Sequence, residues 1–143
     1  MFLGTYSPKL DEKGRLILPA KFRGDLAGGV VVTKGQEHCL FVFPRSDFEA
    51  RAAARTQAAP NTKVAREFNR VLFASAYDQE PDAQGRIIVP PGLRTYAGLI
   101  RDCAVIGVNT HLEVWDAVTW TAHEAAQESA FADQDEEPQL IGS

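Results

Sequence analysis

The stretch DEKGRLILPAKFR at residues 11–23 returns as DAQGRIIVPPGLR at residues 82–94, 71 positions later in the chain. Between positions 2–23 and 73–94, eight of the 22 aligned residues are identical. Ordinary residue frequencies would give about one or two identities in such an alignment. The chain therefore contains an internal duplication.

The duplication extends beyond the repeated turn. Residues 40–43 align with 112–115 once the register shifts by one position. Self-similarity at one separation indicates copies of a single structural unit. The sequence predicts two units, at about 2–48 and 73–120.

Each unit begins with an extended stretch and a D-x-x-G turn. Aspartate at the first turn position can accept hydrogen bonds from the turn backbone, and glycine at the fourth tolerates a positive φ. A short apolar strand follows and stops at Pro19 or Pro90, because proline cannot donate to a β-ladder. Two further strands, at 30–33 with 40–43 and at 104–106 with 112–115, read as hairpins.

A unit of this size buries too little surface to be stable alone and leaves unpaired strand edges. Two units that interleave their hairpins about a pseudo-two-fold axis would solve both problems. The predicted fold is therefore α+β: a β-rich swapped-hairpin barrel built from two tandem repeats, with flanking helices.

Helices are predicted after the second hairpin strand of each unit. Ser46 and Glu49 have capping-box spacing, and Asp116 is predicted to be an N-cap. A connecting helix over about 63–72 carries apolar residues at helical spacing, which predicts one buried stripe. Its members are Val64, Phe68, Val71 and Leu72. The opposite side carries Lys63, Arg66 and Arg70, for which we keep open both solvent exposure and a contact with a partner.

Charge is distributed unevenly along the chain. The net charge is −4, but residues 121–143 contain six acidic residues and no lysine or arginine. Residues 1–120 then hold 15 basic and 13 acidic residues, a net of +2. The body is mildly basic, and residues 131–143 read as an acidic, disordered tail.

Several classes of protein are disfavoured. We find no nucleophile–base pair, no glycine-rich phosphate loop and no ligand spacing among the three histidines, so no catalytic residue, metal site or cofactor is predicted. Cys39 and Cys103 are interpreted as buried free thiols in preference to a disulfide. No apolar run approaches the roughly 20 residues of a membrane span, and the N-terminus is unlike a signal peptide, which favours a cytoplasmic protein.

The D-x-x-x-R motif followed by an apolar strand and proline, present twice at this separation, resembles the MraZ family. Its units are similar to SpoVT-AbrB swapped-hairpin domains. The likeness covers about residues 1–130, including the start MFLGTYSPKLDEKGR and the strand ends LFVFP and LEVWD. It implies SpoVT-AbrB domains at 5–48 and 76–120, joined by connecting helices at 49–75.

The resemblance also implies a function. It indicates a DNA-binding transcriptional regulator, cytoplasmic and nucleoid-associated, that binds double-stranded DNA at direct repeats in the promoter of its own division and cell-wall gene cluster. The family forms closed homo-oligomeric rings, in which many weak contacts would act together. The alternative from another class is a protein-interaction or oligomerisation module without direct DNA contact.

The resemblance identifies Arg15 and Arg86 as the DNA-contacting residues. Arginine can clamp a phosphate bidentately and can read guanine in the major groove. Lys13 would add a point charge toward phosphate, and Lys9 would join it if its strand reaches the same surface. The counterpart of Lys13 is Gln84, so we expect the first turn to carry more of the affinity.

The remaining motif residues are assigned to the turns themselves. Asp11 and Asp82 would fix the turns and steer the arginines by ion pairs, because a carboxylate repels phosphate. Gly14 and Gly85 would supply the positive φ. The plainer interpretation is that each Asp–Arg pair makes only an intramolecular bridge, a contribution of about 0–1 kcal/mol when exposed.

Overall fold

Both copies contain strands and helices in the same order. A computed structural model of the protein describes residues 1–58 and 62–138. In chain order the elements are β1 Thr5–Tyr6, β2 Arg15–Ile17, α1 Arg23–Leu26, β3 Val30–Lys34, β4 Leu40–Pro44, α2 Arg45–Gln57, α3 Lys63–Ala74, β5 Tyr77–Gln79, β6 Arg86–Ile88, α4 Pro91–Ala97, β7 Cys103–Gly107, β8 Leu112–Asp116 and α5 Ala117–Ala132. Short 3-10 turns at Ala20–Phe22 and Gln36–His38 complete the pattern.

The two copies exchange strands. Six strands form one sheet in the order β1-β7-β8-β4-β3-β5, and all of its pairings are antiparallel. Strand β1 of the first copy pairs with β7 of the second, while β5 of the second pairs with β3 of the first. The central pairing of β4 with β8 also joins the copies. The predicted α+β fold with pseudo-two-fold exchange of strands is confirmed.

Strands β2 and β6 form a separate antiparallel ribbon, again one strand from each copy. Reciprocal backbone hydrogen bonds extend it: Leu18 N–H donates to Gly85 O at 3.0 Å, and Val89 N–H donates to Gly14 O at 2.8 Å. Among the described strands, no ladder joins β1 to β5 or the ribbon to the sheet. The sheet and the ribbon are instead connected through side-chain packing.

One hydrophobic core fills the space between the sheet and the ribbon. It takes Leu16 and Ile87 from the ribbon and Val32, Val42 and Val105 from the sheet, all almost fully buried. Each such side chain contributes roughly 1.5–3 kcal/mol. A slip of the ribbon by one residue would expose its apolar face, so burial of this face sets the register.

Both cysteines are buried free thiols, as the sequence predicted. Burial raises the pKa of the Cys39 thiol to about 12 and that of Cys103 to about 11. Both groups therefore stay protonated and pack as small apolar side chains. No helix in the described residues has the length and apolar character needed to cross a membrane.

One of the two predicted helix caps is wrong. Asp116 does cap α5, accepting a hydrogen bond from the Thr119 amide at 3.1 Å. Helix α2, however, begins at Arg45 directly after Pro44, and no side chain caps it. Strand β4 runs straight into this helix, so Ser46 already lies inside the first turn and cannot form the predicted capping box with Glu49.

The predicted burial of the α3 stripe is also wrong. Val64 is 81% exposed and Val71 is 51% exposed. Helix α3 is attached to the sheet mainly through its C-terminal end, where the Thr33 hydroxyl donates to Leu72 O at 2.6 Å. Helical spacing identifies a face that needs a partner, and this chain covers little of it.

The first two residues of the predicted tail belong to a helix. Helix α5 continues through Ala132, so residues 131 and 132 are helical. Residues 133–138 follow as irregular structure, with a turn at 133 and bends at 135 and 136. The last five residues of the predicted disordered segment, 139–143, lie outside the described part of the chain.

Candidate nucleic-acid interface

The first turn is closed by the carboxylate of Asp11. One oxygen, Oδ1, accepts hydrogen bonds from the amides of Lys13 and Arg15, both at 2.9 Å. The other, Oδ2, accepts from Arg15 Nε at 2.7 Å. Gly14 has a φ of +77°, which brings its amide to Asp11 O at 3.0 Å. A single side chain thus organises the turn backbone and orients the arginine.

The second turn repeats this arrangement. Asp82 Oδ1 accepts from the amides of Gln84 and Arg86 at 2.9 Å, and Oδ2 accepts from Arg86 Nε at 2.7 Å. Gly85 again has a φ of +77°. Because both copies keep the motif residues, they reach the same local geometry.

These hydrogen bonds stabilise the charged form of both carboxylates. The pKa of Asp11 lies below its ordinary value, chiefly because the Arg15 amide donates to it. The pKa of Asp82 is lowered for the same reason by the Arg86 amide. Each carboxylate is therefore ionised at neutral pH and holds its arginine by charge as well as by hydrogen bonding.

Alternation along the ribbon places the two arginines on its outer face. Arg15 lies opposite Ile88, and Ile17 lies opposite Arg86, while Leu16 and Ile87 point into the core. The side chains of Arg15 and Arg86 are 31% and 25% exposed. Within the described residues, each guanidinium contacts its aspartate through Nε, and its terminal amino groups have no other polar partner.

Two exposed isoleucines on this face were missed by sequence reasoning. Ile17 and Ile88 are about half exposed and alternate with the arginines. The signal was available, because the period-2 pattern of R-L-I and R-I-I places the first and third residues on one face. The outer face of the ribbon therefore combines two cations with two apolar side chains.

A second pair of arginines packs against the turns, each arginine contacting the turn of the other copy. Arg23 Nη2 donates to Gln84 O at 2.9 Å, and the Arg23 side chain covers Gly85. Arg94, its counterpart, packs over Gly14 in the same way. Both arginines lie at equivalent positions of the two copies, but no role was predicted for them. Their contacts cross between the copies and so depend on the strand exchange.

The two predicted lysines are placed differently. Lys13 is exposed at the tip of the first turn, beside Glu12. Lys9 is exposed but lies outside the ribbon, where it forms an isolated β-bridge with Asp102. The structure therefore brings Lys13 next to Arg15 in the turn and leaves Lys9 on the segment that leads into it.

The outer ribbon face is suited to binding an anion or a polyanion. A two-stranded ribbon fits the major groove of duplex DNA, where guanidinium groups can donate to phosphates and to guanine. In residues 1–58 and 62–138, no group of three or more potential ligands is arranged to hold a metal ion. This face offers cationic and apolar side chains for contact with a ligand.

Comparison with known proteins places the chain among relatives of one kind. The family described as "MraZ protein, putative antitoxin-like" matches residues 1–71 and again residues 72–141. Transcriptional regulator MraZ of Thermobifida fusca is 61% identical over 138 residues, covering 96% of each chain. The protein of the same name from Salinispora arenicola is 58% identical over 137 residues, covering 95% of this chain and 96% of its own. The resemblance predicted from the repeated turns is confirmed.

Proposed function

The chain belongs to the MraZ family, and we propose that it is a sequence-specific DNA-binding transcriptional regulator that acts as a homo-oligomeric ring. Its target would be direct repeats in the promoter of its own division and cell-wall gene cluster, at the nucleoid in the cytoplasm. The relatives described above are named as transcriptional regulators and not as enzymes, which supports this class.

The observation that carries the proposal is the outward pair of arginines on the shared ribbon. Arg15 and Arg86 come from different copies yet lie on one face, with their terminal amino groups free of other polar contacts among the described residues. Such a pair can contact a phosphate or a guanine edge. We assign phosphate contact to Lys13 as well, and a peripheral contribution to Lys9.

The aspartates act through the arginines. Asp11 and Asp82 bind Nε, which leaves the two terminal amino groups of each guanidinium for the ligand. This division of donors favours DNA contact over the interpretation that the bridges serve stability alone. Together with Gly14 and Gly85, the aspartates hold the turns in the conformation that presents the arginines.

Assembly would compensate for the modest charge of one chain. Residues 1–120 carry a net charge of only +2, so one subunit attracts DNA weakly. In a ring, the SpoVT-AbrB domains that we place at 5–48 and 76–120 would meet successive repeats at high effective concentration. Affinity should fall steeply with salt, because each neutralised phosphate releases counterions.

The test is a gel shift with the protein's own upstream DNA at two salt concentrations. Arg15→Ala and Arg86→Ala should each weaken binding by about 100-fold or more, since every subunit would lack an interaction of roughly 1–3 kcal/mol. Arg15→Lys keeps the charge but removes the planar donor pair, so it should also bind poorly. Arg101→Ala removes the same charge outside the ribbon and should bind nearly as the wild type does.

Oligomer mass and thermal stability are measured on the same variants. Both should stay near the wild-type values, because an exposed bridge contributes only about 0–1 kcal/mol. If Arg15→Ala unfolds the protein or dissociates the oligomer, the arginine is structural. If the wild type fails to shift its upstream DNA at either salt concentration, the alternative of an interaction module without DNA contact is favoured.

A further inference from the structure

The outer face of the β2–β6 ribbon carries apolar and cationic side chains in alternation. Arg15 lies opposite Ile88 and Ile17 lies opposite Arg86, so each isoleucine has one guanidinium across the ribbon and another two residues along its own strand. Ile17 is 50% exposed and Ile88 is 45% exposed. Single exposed apolar residues are ordinary on a protein surface. Here, however, two isoleucines occupy equivalent positions of the two copies, on the face that carries the arginines.

Neither the core nor the strand conformation requires isoleucine at these positions. The side chains that fill the core from the ribbon are Leu16 and Ile87, which are 0% and 1% exposed. β-Branched residues favour strands, but threonine would meet that preference at positions 17 and 88 with a polar surface. The apolar character of both positions is therefore left for contact with a ligand.

The main chain of Ile88 is fixed from outside the ribbon. The Gln79 side-chain amide donates to Ile88 O at 2.7 Å and accepts from the Ile88 N–H at 2.7 Å. These two hydrogen bonds take the place of a neighbouring strand and join β6 to β5. The equivalent residue of the first copy is Pro8, whose side chain has no amide. Ile88 is thus held in place before a ligand binds, which lowers the entropic cost of contact.

The spacing of side chains on this face matches the spacing of bases. Residues i and i+2 of a strand are about 6.8 Å apart. This distance is about two base-pair steps of duplex DNA, at about 3.4 Å each. The major groove also admits a two-stranded ribbon. Arg15 and Ile17 can therefore contact nearby positions of one DNA strand at the same time.

We propose that Ile17 and Ile88 contact the 5-methyl groups of thymines in the major groove. The inference rests on the DNA binding put forward under Proposed function and adds the residues that read one of the bases. All four bases present hydrogen-bonding groups in the major groove, whereas thymine alone presents a methyl group. An isoleucine has no donor to offer a phosphate oxygen, so the methyl group is the surface that matches it. The arginines then supply affinity for phosphate or guanine, and the isoleucines add preference for thymine.

The test compares two duplexes in gel shifts with the full chain. The first is the protein's own upstream DNA. In the second, every thymine in both strands of the protected region is replaced by uracil, which lacks only the 5-methyl group. The lower of the two salt concentrations is used, because weaker complexes are still measurable there.

Three variants are measured beside the wild type. Ile17→Ser with Ile88→Ser removes the apolar surface, and Ile17→Val with Ile88→Val keeps a branched apolar side chain at both positions. Val118→Ala is the control, since it shortens an exposed apolar side chain on α5, outside the ribbon. Circular dichroism should show that all three variants are folded, because the substituted side chains lie outside the core.

The wild type should bind the uracil duplex at least about fourfold more weakly, which is the change expected from losing contact with one methyl group. The double serine variant should bind the two duplexes equally, because the partner of the methyl group is gone. The double valine variant should still prefer thymine, and Val118→Ala should show the wild-type preference.

Equal binding of the two duplexes by the wild type overturns the inference, while the proposed DNA binding through Arg15 and Arg86 stands. A double serine variant that still prefers thymine also overturns it, because the methyl group then acts through another contact or through the shape of the duplex. A wild type that binds neither duplex removes the proposed function itself, and with it this inference.

Discussion

The two turns of the ribbon have the same backbone and different tips. In each, an aspartate accepts two amides at 2.9 Å and its arginine Nε at 2.7 Å. At the tips, the first turn carries Glu12-Lys13, whereas the second carries Ala83-Gln84. The difference separates two requirements: the hydrogen-bonded frame needs particular residue types, while the tip side chains face solvent and can vary without changing the fold.

The turns also differ in how the opposite copy braces them. Arg23 hydrogen-bonds to Gln84 O while it covers Gly85. Arg94 covers Gly14 by packing, without a hydrogen bond of this kind among the described residues. Pseudo-symmetry therefore holds at the backbone and weakens in the side chains around it.

The largest effect is expected from the turn glycines. Gly14→Ala and Gly85→Ala should each lower the free energy of unfolding by about 1–3 kcal/mol, because alanine is strained at a φ of +77°. A Cβ at position 85 would lie 2.6 Å from Arg23 Nε, so this substitution also disturbs the bond to Gln84. Urea unfolding of both variants measures the two decreases in the free energy of unfolding.

Gly92→Ala is the matched control, since it lies in α4 with nothing within 4 Å of its new Cβ. It should be neutral or slightly stabilising, because alanine favours the helix. In an Arg94→Ala background, Gly14→Ala should retain the cost of its positive φ and of the approach of its Cβ to Val89 O at 3.3 Å. Equal costs for Gly14→Ala and Gly92→Ala would contradict the assigned turn geometry.

A smaller effect is expected from exchanging the tips. Lys13→Gln gives the first turn the neutral residue of the second, and Gln84→Lys does the reverse. Each phosphate that a lysine neutralises should change the slope of log affinity against log salt by about 0.9. Gel shifts over a salt series measure this slope, which should become shallower for the first variant and steeper for the second.

Both tip variants should unfold at the wild-type urea concentration, because neither side chain contributes to the turn frame. Lys21→Gln removes one positive charge, as Lys13→Gln does, but at a position outside the turn. It serves as the control. If Lys13→Gln and the control change the slope equally, the tip has no special contact with DNA. The expectation that the first turn carries more of the affinity would then be wrong.

The smallest effect is expected in the response to acid. Asp11 and Asp82 have pKa values below the ordinary 3.8, mainly because the amides of Arg15 and Arg86 donate to them. A lowered folded-state pKa adds stability that is present above pH 3.8 and is lost as the pH falls through the folded value. Asp11→Asn and Asp82→Asn should each reduce this loss of stability at low pH.

Urea unfolding between pH 3 and pH 7 would measure the effect, and the two asparagine variants should behave alike because their turns have the same geometry. Burial raises the pKa of Glu113, but the hydrogen bond from Trp115 Nε1 at 2.9 Å and the nearby imidazoles of His111 and His123 together bring it below its ordinary value. The comparison is therefore made in a Glu113→Gln background as well. Clearly unequal acid responses of Asp11→Asn and Asp82→Asn would show that the frames differ in solution.

Much of the fold could be predicted from the sequence because its signals are local. Proline after each ribbon strand, the apolar runs of β3 and β4, and aspartate before α5 act within a few residues of their own position. The same holds for the frame of the candidate site, since within the described residues the hydrogen bonds of Asp11 join it to residues up to four positions away. Duplication added the one long-range prediction, that the copies interleave.

The failures have physical reasons as well. The predicted capping box at Ser46 is wrong because β4 leads directly into α2. The predicted burial of the α3 stripe is wrong because periodicity shows that a face is apolar without showing which chain covers it. The hydrogen bond from Arg23 to Gln84 O joins residues 61 positions apart, and no spacing rule predicts such a contact.

By itself the sequence determined the repeated unit and the hydrogen-bonded turns, because these follow from backbone preferences and contacts at short range, and its duplication predicted that the copies interleave. Only the tertiary structure decided that Arg15 and Arg86 share one face with Ile17 and Ile88, and that α3 is left uncovered. These features depend on which strands become neighbours, and that choice is made by packing of the whole core between the sheet and the ribbon.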